Sequence, residues 1–351
     1  MFEHLSVQAE HGDALLVRYG DHAAPHYIMV DGGPSGTHNA IIEALDAWRA
    51  HSDLLRLEAL VVTHYDLDHI EGVIDLLNNK PKWLEINDIW FNGLDHLAPA
   101  DLMGSAEGDE LSRLIASAKY PWNKAFGGKA VKMAAAVSVH LAGGMQVRVL
   151  SPSQTQLSKV ATEWRSGKLQ PRDNDSAKPR DLLGRKDTWP PGDFSSLANI
   201  KSTADSSIPN GSSIALMLEF GGKRLLLAGD AFADVVENGL KLHWKIAPEV
   251  EMCKISHHGS QANTTATLLK AMRCRRFLIS TSGKTHTHPD NVLIARLLAY
   301  TVKPEIVFNY FQKQTAGWQT PPTGWPVFTA TYPRTGEAFV RVDLMVEAGT
   351  C

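Results

Sequence analysis

The chain of 351 residues is 44% hydrophobic and 21% charged, which is ordinary for a globular protein and allows a large buried core. Its formal net charge of −3 excludes a global basic field for nucleic acid. The 3 scattered cysteines lack metal-ligand spacing, which argues against a disulfide framework and for a reducing, cytoplasmic compartment. No apolar run approaches transmembrane length, so we expect no membrane partner.

In chain order, the N-terminal part predicts strands and one helix. Residues 5–9 and 14–19 alternate in polarity around His11-Gly12-Asp13, a turn sequence, and predict a hairpin. Residues 27–30 predict a third strand, which ends at Asp31, and an amphipathic helix is predicted over residues 37–50. The apolar, partly β-branched run 57–62 then predicts a buried strand.

Four potential metal ligands follow that strand: His64, Asp66, Asp68 and His69. Alternate strand residues share a face, so His64 and Asp66 project together, and the helix predicted from Ile70 brings Asp68 and His69 to a neighbouring point. Imidazole and carboxylate groups suit zinc, iron or manganese. Two adjacent ligand pairs predict two metals in one site. The alternative is a polar loop with capping carboxylates, in which packing these groups together would carry a desolvation cost.

The remaining chain predicts further strands on both sides of an irregular segment. A helix is predicted over 109–119 and another over 292–300, and strands are predicted over 83–91, 137–141, 145–150, 214–220, 224–228, 249–255, 276–280, 305–308, 327–330 and 339–344. Residues 162–199 are rich in Pro, Gly and charged residues and lack periodicity. We therefore predict one domain over 1–351 with a surface insertion at 162–199, which is a solvated loop, a lid that contacts a polyanion, or a docking site for a protein partner.

The metal turn resembles the His-x-His-x-Asp-His signature of the metallo-β-lactamase superfamily, with Asp66 in place of the second histidine. Together with the Asn210-Gly-Ser-Ser run, it is similar to the subgroup that contains the hydrolase domain of the bacterial DNA-uptake channel (ComEC-type). The resemblance covers about residues 1–95 and 205–310. It implies an α/β fold of the αββα four-layer sandwich type, which also fits the strand-rich halves on either side of the insertion.

The resemblance also implies a ligand set. His64 and Asp66 would bind a first metal, and Asp68 and His69 a second. The remaining implied positions are Asp230 as the bridging carboxylate, His258 as a second-site ligand, Asn210 in place of a third first-site histidine, and Asp31 as a hydrogen-bonding support of the turn. Asparagine and aspartate make the first site harder and weaker for zinc, so the expected metals are two Zn²⁺ or Mn²⁺ ions.

Charge counting favours hydrolysis. Three aspartates oppose two divalent metals, and a metal-bridging hydroxide would bring the cluster near neutral. We expect a phosphoester hydrolase, a phosphodiesterase or nuclease acting on nucleic acid or a nucleotide, with the catalytic residues Asp68, His257, Lys284 and His288. The alternatives are a hydrolase of carboxylic esters, lactones or thioesters on the same metals, and a non-catalytic regulatory partner subunit that keeps the fold.

Overall fold

The computed structural model describes residues 1–49, 52–97, 106–135, 137–165 and 187–348. The strands are β1 (Phe2–Val7), β2 (Leu15–Gly20), β3 (Pro25–Val30), β4 (Leu55–Val61), β5 (Leu84–Ile86), β6 (Ile89–Trp90), β7 (Val139–His140), β8 (Gln146–Ser151), β9 (Ala215–Phe220), β10 (Lys223–Leu227), β11 (Glu249–Val250), β12 (Met252–Lys254), β13 (Arg273–Cys274), β14 (Arg276–Ile279), β15 (Glu305–Phe308), β16 (Thr329–Thr331) and β17 (Phe339–Asp343). The helices are α1 (His38–Arg49), α2 (Leu67–Asn78), α3 (Leu94–Leu97), α4 (Ala106–Ser117), α5 (Gln154–Arg165), α6 (Phe194–Ala198), α7 (Ile208–Gly211), α8 (Ala233–His243), α9 (Ala266–Lys270), α10 (Asn291–Tyr300) and α11 (Lys313–Ala316).

Most strands belong to two mixed sheets. The first has the order β17-β1-β2-β3-β4-β5, and β6 also pairs with β4. The second has the order β16-β15-β14-β12-β10-β9-β8-β7, while β11 and β13 pair separately. The predicted N-terminal hairpin is β1 with β2, which pair antiparallel from Phe2 opposite Tyr19 to Ser6 opposite Leu15. Strand β4 pairs in parallel with β3, and β10, β12, β14 and β15 are mutually parallel.

The two sheets pack face to face over an apolar core. Val17, Val30 and Val61 of the first sheet are buried in one cluster with Leu216 and Leu227 of the second. Alternate residues of these strands point away from that cluster, because strand side chains have a period of two. Each sheet therefore has a second apolar face, which needs a cover of its own.

Helices cover these outer faces. Leu45 of α1 and Ile70 of α2 pack in a cluster with Leu60 of the first sheet. Val236 of α8 and Leu297 of α10 pack in a cluster with residues of the second sheet. The layer order is therefore helix, sheet, sheet, helix, and the predicted αββα sandwich is confirmed.

The order of the strands gathers polar segments at one edge. The metal turn follows the carboxyl end of β4, Asp230 follows β10, and His257 and His258 follow β12. Because the carboxyl ends of parallel strands in one sheet lie at the same edge, Asp230 and the two histidines of the second sheet meet there. The metal turn of the first sheet reaches the same place, since Nε2 of His69 lies 3.5 Å from Asp230 Oδ2. The turn between β1 and β2 reaches the same edge, since Ser280, which follows β14, donates a 3.3 Å hydrogen bond from Oγ to the Gly12 carbonyl.

Two predicted strands are interrupted by polar residues. The predicted strand 83–91 is divided into β5 and β6, because the carboxylate of Asp88 accepts hydrogen bonds from the amides of Lys124 and Ala125 and from the indole of Trp90. The predicted strand 249–255 is divided at Glu251. Before this residue β11 pairs with β13, and after it β12 joins the main sheet.

The predicted insertion 162–199 begins inside α5 and ends just after α6. Phe194 and Leu197 of α6 pack against the apolar cluster between the second sheet and the helices that cover it. The Trp325 indole donates a hydrogen bond to the Gly192 carbonyl. Residues 166–186, which carry most of the basic residues of the predicted lid, lie outside the described part of the chain. None of the helices described has both the length and the apolar character needed to cross a membrane.

The loop after β3 lies directly against α2. The Gly72 amide donates to the Gly33 carbonyl at 2.9 Å, and the Gly32 amide donates to the His69 carbonyl at 2.9 Å. A Cβ atom on Gly72 would lie 1.9 Å from the Gly32 carbonyl oxygen, which is backbone and cannot swing aside. The metal turn is therefore fixed by a close backbone contact that requires glycine in α2.

This contact predicts the sign of a mutational effect. In a free helix, Gly→Ala would stabilise by up to about 1 kcal/mol. We expect Gly72→Ala instead to destabilise the protein by about 3 kcal/mol, because its Cβ overlaps the backbone of Gly32. Urea unfolding followed by circular dichroism measures this, with Gly192→Ala as control, whose Cβ would meet only the Leu197 side chain at 3.9 Å. A Gly72→Ala protein as stable as the control would contradict the close contact.

Candidate metal centre

The metal turn is held by the fully buried carboxylate of Asp31. The Thr63 amide donates to Asp31 Oδ1 at 2.7 Å, and the Thr63 hydroxyl donates to Oδ2 at 2.8 Å. Asp31 Oδ2 also lies 2.8 Å from Nδ1 of His69, and the Thr63 hydroxyl lies 3.0 Å from Nδ1 of His64. Both histidines therefore have their Nδ1 atoms occupied, and Asp31 supports the turn as the resemblance implied.

The histidines after β12 are held in an uncommon backbone conformation. His257 and His258 both have positive φ angles, 50° and 53°, which non-glycine residues rarely adopt. The His257 amide donates to the Gly229 carbonyl at 3.1 Å, and Nδ1 of His258 lies 3.0 Å from the Ser280 carbonyl. Nδ1 of His257 lies 3.1 Å from Oδ1 of Asn263. Again the Nδ1 atoms are engaged, which leaves the Nε2 atoms to face the cluster.

Asp230 lies at the centre of these rings. Its amide donates to the Ser213 hydroxyl at 3.0 Å, which fixes the residue at the end of β10. Its Oδ2 atom lies 3.5 Å from Nε2 of both His69 and His258, and 3.9 Å from Nε2 of His257. Asp230 thus presents one oxygen to three imidazoles, and its role as a carboxylate shared between two metals stays a prediction.

Several buried ligand atoms in this cluster have no hydrogen-bond partner. Among the described residues these include Nε2 of His64, His69 and His258. Asp68 Oδ2 lies 3.3 Å from Nε2 of His258 and 3.8 Å from Nε2 of His69. Buried polar atoms are normally paired, so the convergence of unpaired imidazole nitrogens on carboxylates fits divalent metal ions. The donor set of nitrogen and oxygen atoms suits zinc or manganese.

The electrostatics of the pocket favour a cation. Burial alone would lower the pKa of His258, but the charges of Asp230 and Asp13 outweigh it and raise the pKa to about 9. The pKa of His69 is also raised well above its usual value, since Asp230, Asp68 and Asp31 together overcome its burial. Burial would raise the pKa of Asp230, but the neighbouring histidines hold it well below the usual range. The carboxylates thus stay charged and attract positive charge into the site.

Asp13 and Lys254 are site residues that the sequence analysis did not identify. Lys254 is fully buried, and its ammonium group pairs with the Asp13 carboxylate, donates to the Gly229 carbonyl at 3.2 Å and lies 4.0 Å from Asp230 Oδ1. Ligand atoms of Asp13, His69, Asp230 and His258 all lie within 4.8 Å of one another. Asp13, however, lies 3.6 Å from Nδ1 of His258, opposite the Nε2 atom that faces Asp68. Asp13 thus lies on the Nδ1 side of His258, where its charge raises the pKa of that ring and pairs with the Lys254 ammonium group.

A signal for these two residues was present in the sequence. Asp13 follows His11-Gly12 in a turn that the strand order brings to the edge of the sheet, and Lys254 immediately precedes the Ile-Ser-His-His run. A lysine in a buried strand requires a partner, because an unpaired buried ammonium group is costly. That requirement alone does not reveal which carboxylate is the partner, since Asp13 and Lys254 lie far apart in the chain.

Asp66 and Asn210, which were predicted to bind the first metal, lie at the sides of the cluster. Asp66 Oδ2 lies 3.5 Å from Nε2 of His64, beside the cluster. The amide nitrogen of Asn210 donates to Asp205 at 2.7 Å and lies 3.4 Å from Nδ1 of His257. Its contacts place Asn210 behind the ring of His257. Metal binding by Asp66 and Asn210 stays a prediction.

The two predicted catalytic residues of the loop after β14, His288 and Lys284, differ in burial and in their contacts. His288 is buried, its Nδ1 atom lies 3.2 Å from Asp290, and its ring centroid is 5.9 Å from that of His257. Lys284 is exposed and pairs with Glu10 at 3.2 Å. His288 thus borders the cluster, while Lys284 lies at the surface beside it, and their catalytic roles stay predictions.

The model of the metallo-beta-lactamase superfamily matches residues 9–91. No curated protein is similar enough to this chain to count as a match. Among solved structures, the chain is similar to the metallo-beta-lactamase fold protein YhfI from Bacillus subtilis, with 10% identity, coverage of 97% of this chain and 99% of that one, and a TM-score of 0.42. It is also similar to Zn²⁺-bound PqqB from Methylobacterium extorquens, with 11% identity, coverage of 97% and 99%, and a TM-score of 0.41.

A third similar structure is a diphosphatase from the PhnP family, with 9% identity, coverage of 80% of this chain and 86% of that one, and a TM-score of 0.37. At such values these likenesses carry no argument about activity. The matched residues 9–91 contain Asp13, Asp31 and the whole metal turn. The structure places these residues in or beside one cluster. The chain thus matches the superfamily model over residues 9–91, and this match, the αββα layers and the unpaired buried ligands together support a metal-dependent hydrolase.

Proposed function

We propose that the protein hydrolyses phosphoesters, as a phosphodiesterase or nuclease of the DNA-uptake (ComEC-type) subgroup, with two divalent metals. The observation that carries the metal site is the convergence of unpaired Nε2 atoms on Asp68 and Asp230. Metals bound there would polarise a phosphoryl oxygen and lower the pKa of water to about 7, which supplies a nucleophile at neutral pH.

The ligands divide into two groups around Asp230. Asp68, His69 and His258 are mutually close and would hold one metal, the tighter of the two. His64 and Asp66, which lie 3.5 Å apart, would hold the other. The Nε2 atom of His257 faces Asp230 Oδ2, so His257 is a further candidate ligand of this weaker site.

The charge of the loaded site is compatible with an anionic substrate. Asp66, Asp68 and Asp230 bring three negative charges against four positive charges from two divalent ions, and Asp13 is paired with Lys254. A bridging hydroxide would bring the cluster near neutral, so the site would not repel a phosphoester anion, whose oxygens the metals would bind. Asp290 holds Nδ1 of His288, so Nε2 of His288 is the atom that would pass a proton to the leaving oxygen.

The substrate class is tested directly. Metal-loaded protein is assayed against a bis-phosphoester, single- and double-stranded nucleic acid, a phosphocholine ester and a lactone. We expect cleavage of the phosphoesters, and a loss of at least about a hundredfold in kcat/KM for His288→Ala, the typical weight of a general acid. Cleavage of the lactone alone would reject the phosphoester assignment while keeping the metal site.

Metal content provides a second test. We expect up to two divalent ions per chain, with one lost on mild chelation. Asp68→Ala and His258→Ala should lose the tighter ion, because each removes a ligand from the group around Asp230. Native mass spectrometry counts the ions, with Asp46→Ala and His140→Ala, both exposed, as matched controls. Unchanged metal content in all four variants would reject the assignment of the site.

The central place of Asp230 predicts a ranking of two variants. Asp230 Oδ2 lies near three imidazoles, whereas Asp66 lies beside His64 alone. Under saturating manganese, Asp230→Ala should therefore lower kcat by at least about tenfold more than Asp66→Ala, a difference of about 1.4 kcal/mol in the barrier. Equal residual rates in two folded variants would show that Asp230 is not shared between the metals.

A further inference from the structure

A row of imidazole rings borders the metal cluster. The ring centroids of His258 and His257 are 6.0 Å apart, those of His257 and His288 are 5.9 Å apart, and those of His288 and His286 are 6.0 Å apart. The row ends at His11, whose ring centroid is 6.3 Å from that of His286. His286 and His11, the outer members, have no place in the ligand set described above.

These two rings are held at the mouth of the site by contacts between their loops. The Ser282 amide donates to the Glu10 carbonyl at 2.6 Å, and the Glu10 amide donates to the Tyr310 hydroxyl at 2.7 Å. Lys284 adds an ion pair with the Glu10 carboxylate at 3.2 Å. His11 comes from the turn between β1 and β2, and His286 comes from the loop after β14. Each sheet therefore contributes one ring of the pair.

The outer rings differ from the inner ones in their hydrogen bonds. His257, His258 and His288 each have Nδ1 within 3.2 Å of a polar oxygen. In the part of the chain that the structure describes, neither ring nitrogen of His11 or His286 makes a hydrogen bond, and both side chains are half-buried. Each outer ring therefore has a donor and an acceptor available to a bound molecule.

Both outer rings face the cluster and are neutral. Asp68 and His258 are among the charges that act on both His11 and His286. Burial lowers the pKa of both rings, that of His286 to about 4. An imidazole carries at least one N–H in either protonation state, so each ring can donate a hydrogen bond. The adjacent Glu10 carboxylate pairs with Lys284, which offsets part of its negative charge beside the two rings.

We propose that His11 and His286 form a binding pair that donates hydrogen bonds to the phosphoryl oxygens of a substrate held at the metal cluster. This proposal rests on the phosphoester function proposed above. Two neutral N–H donors orient a phosphoryl group without adding a charge that would oppose the metals. The pair would thus set the position of the substrate, while Asp68, Asp230 and the inner histidines hold the metals.

The test compares binding with turnover in the metal-loaded protein. We expect His11→Ala and His286→Ala each to weaken inorganic phosphate binding and to raise KM for a bis-phosphoester by about tenfold, the effect of one lost hydrogen bond to a charged group, with kcat nearly unchanged. His11→Gln and His286→Gln keep an N–H donor and should retain most of the affinity. Titration calorimetry measures phosphate binding, and initial rates give KM.

His22→Ala is the matched control, because His22 is exposed in the turn after β2, at the opposite end of that strand from His11. Phosphate affinity and KM that stay unchanged in the double Ala variant would overturn the proposal. A fall in the metal content of that variant would also overturn it, since the rings would then be metal ligands. If the wild-type protein cleaves no phosphoester, the proposed function fails, and the phosphate titration still decides on the pair.

Discussion

The hydrogen bonds of Asp31 are the constraint on which the site depends. This carboxylate, at the end of β3, binds the amide and hydroxyl of Thr63 and the Nδ1 atom of His69. It thereby fixes the path of the chain from β4 into α2 and the direction in which the His69 ring points. A carboxylate behind a histidine is a common means of orienting a metal ligand, and its loss typically costs 10–100-fold in metal affinity. Here it also fixes the turn that carries four of the predicted ligands.

The two halves of the chain contribute to the site through different structural elements. The first half supplies a tight turn, held by Asp31 and by the contact between Gly32 and Gly72. The second half supplies Asp230 and the His257-His258 pair, which follow neighbouring parallel strands, β10 and β12. Since the sheets interlock through a common apolar core, neither half can move its ligands without disturbing the packing of both.

Local patterns predicted the strands and the polar turn after β4, and the resemblance to the metallo-β-lactamase superfamily implied the αββα layers. Strand β15 was predicted with its observed bounds, since its apolar run is bounded by Pro304 and Asn309. What could not be predicted depends on contacts between distant residues. Nothing near Asp88 in the sequence shows that it accepts hydrogen bonds from the chain at Lys124, and nothing near Asp13 shows that Lys254 is its partner. The contact of Asn210 with His257 likewise joins distant parts of the chain and cannot be read from the sequence near either residue.

The buried ion pair of Lys254 and Asp13 has a consequence for the order of assembly. Many small metal sites do not form before the ion arrives, because binding of the ion supplies the free energy that folds the domain. Here the chain carries its own cation, the ammonium group of Lys254 on β12. This group is paired with Asp13 and lies 4.0 Å from Asp230 Oδ1. The carboxylates are thus partly compensated in the metal-free protein. We expect the chain to fold first and to receive its ions afterwards, into a pocket whose walls are already in place.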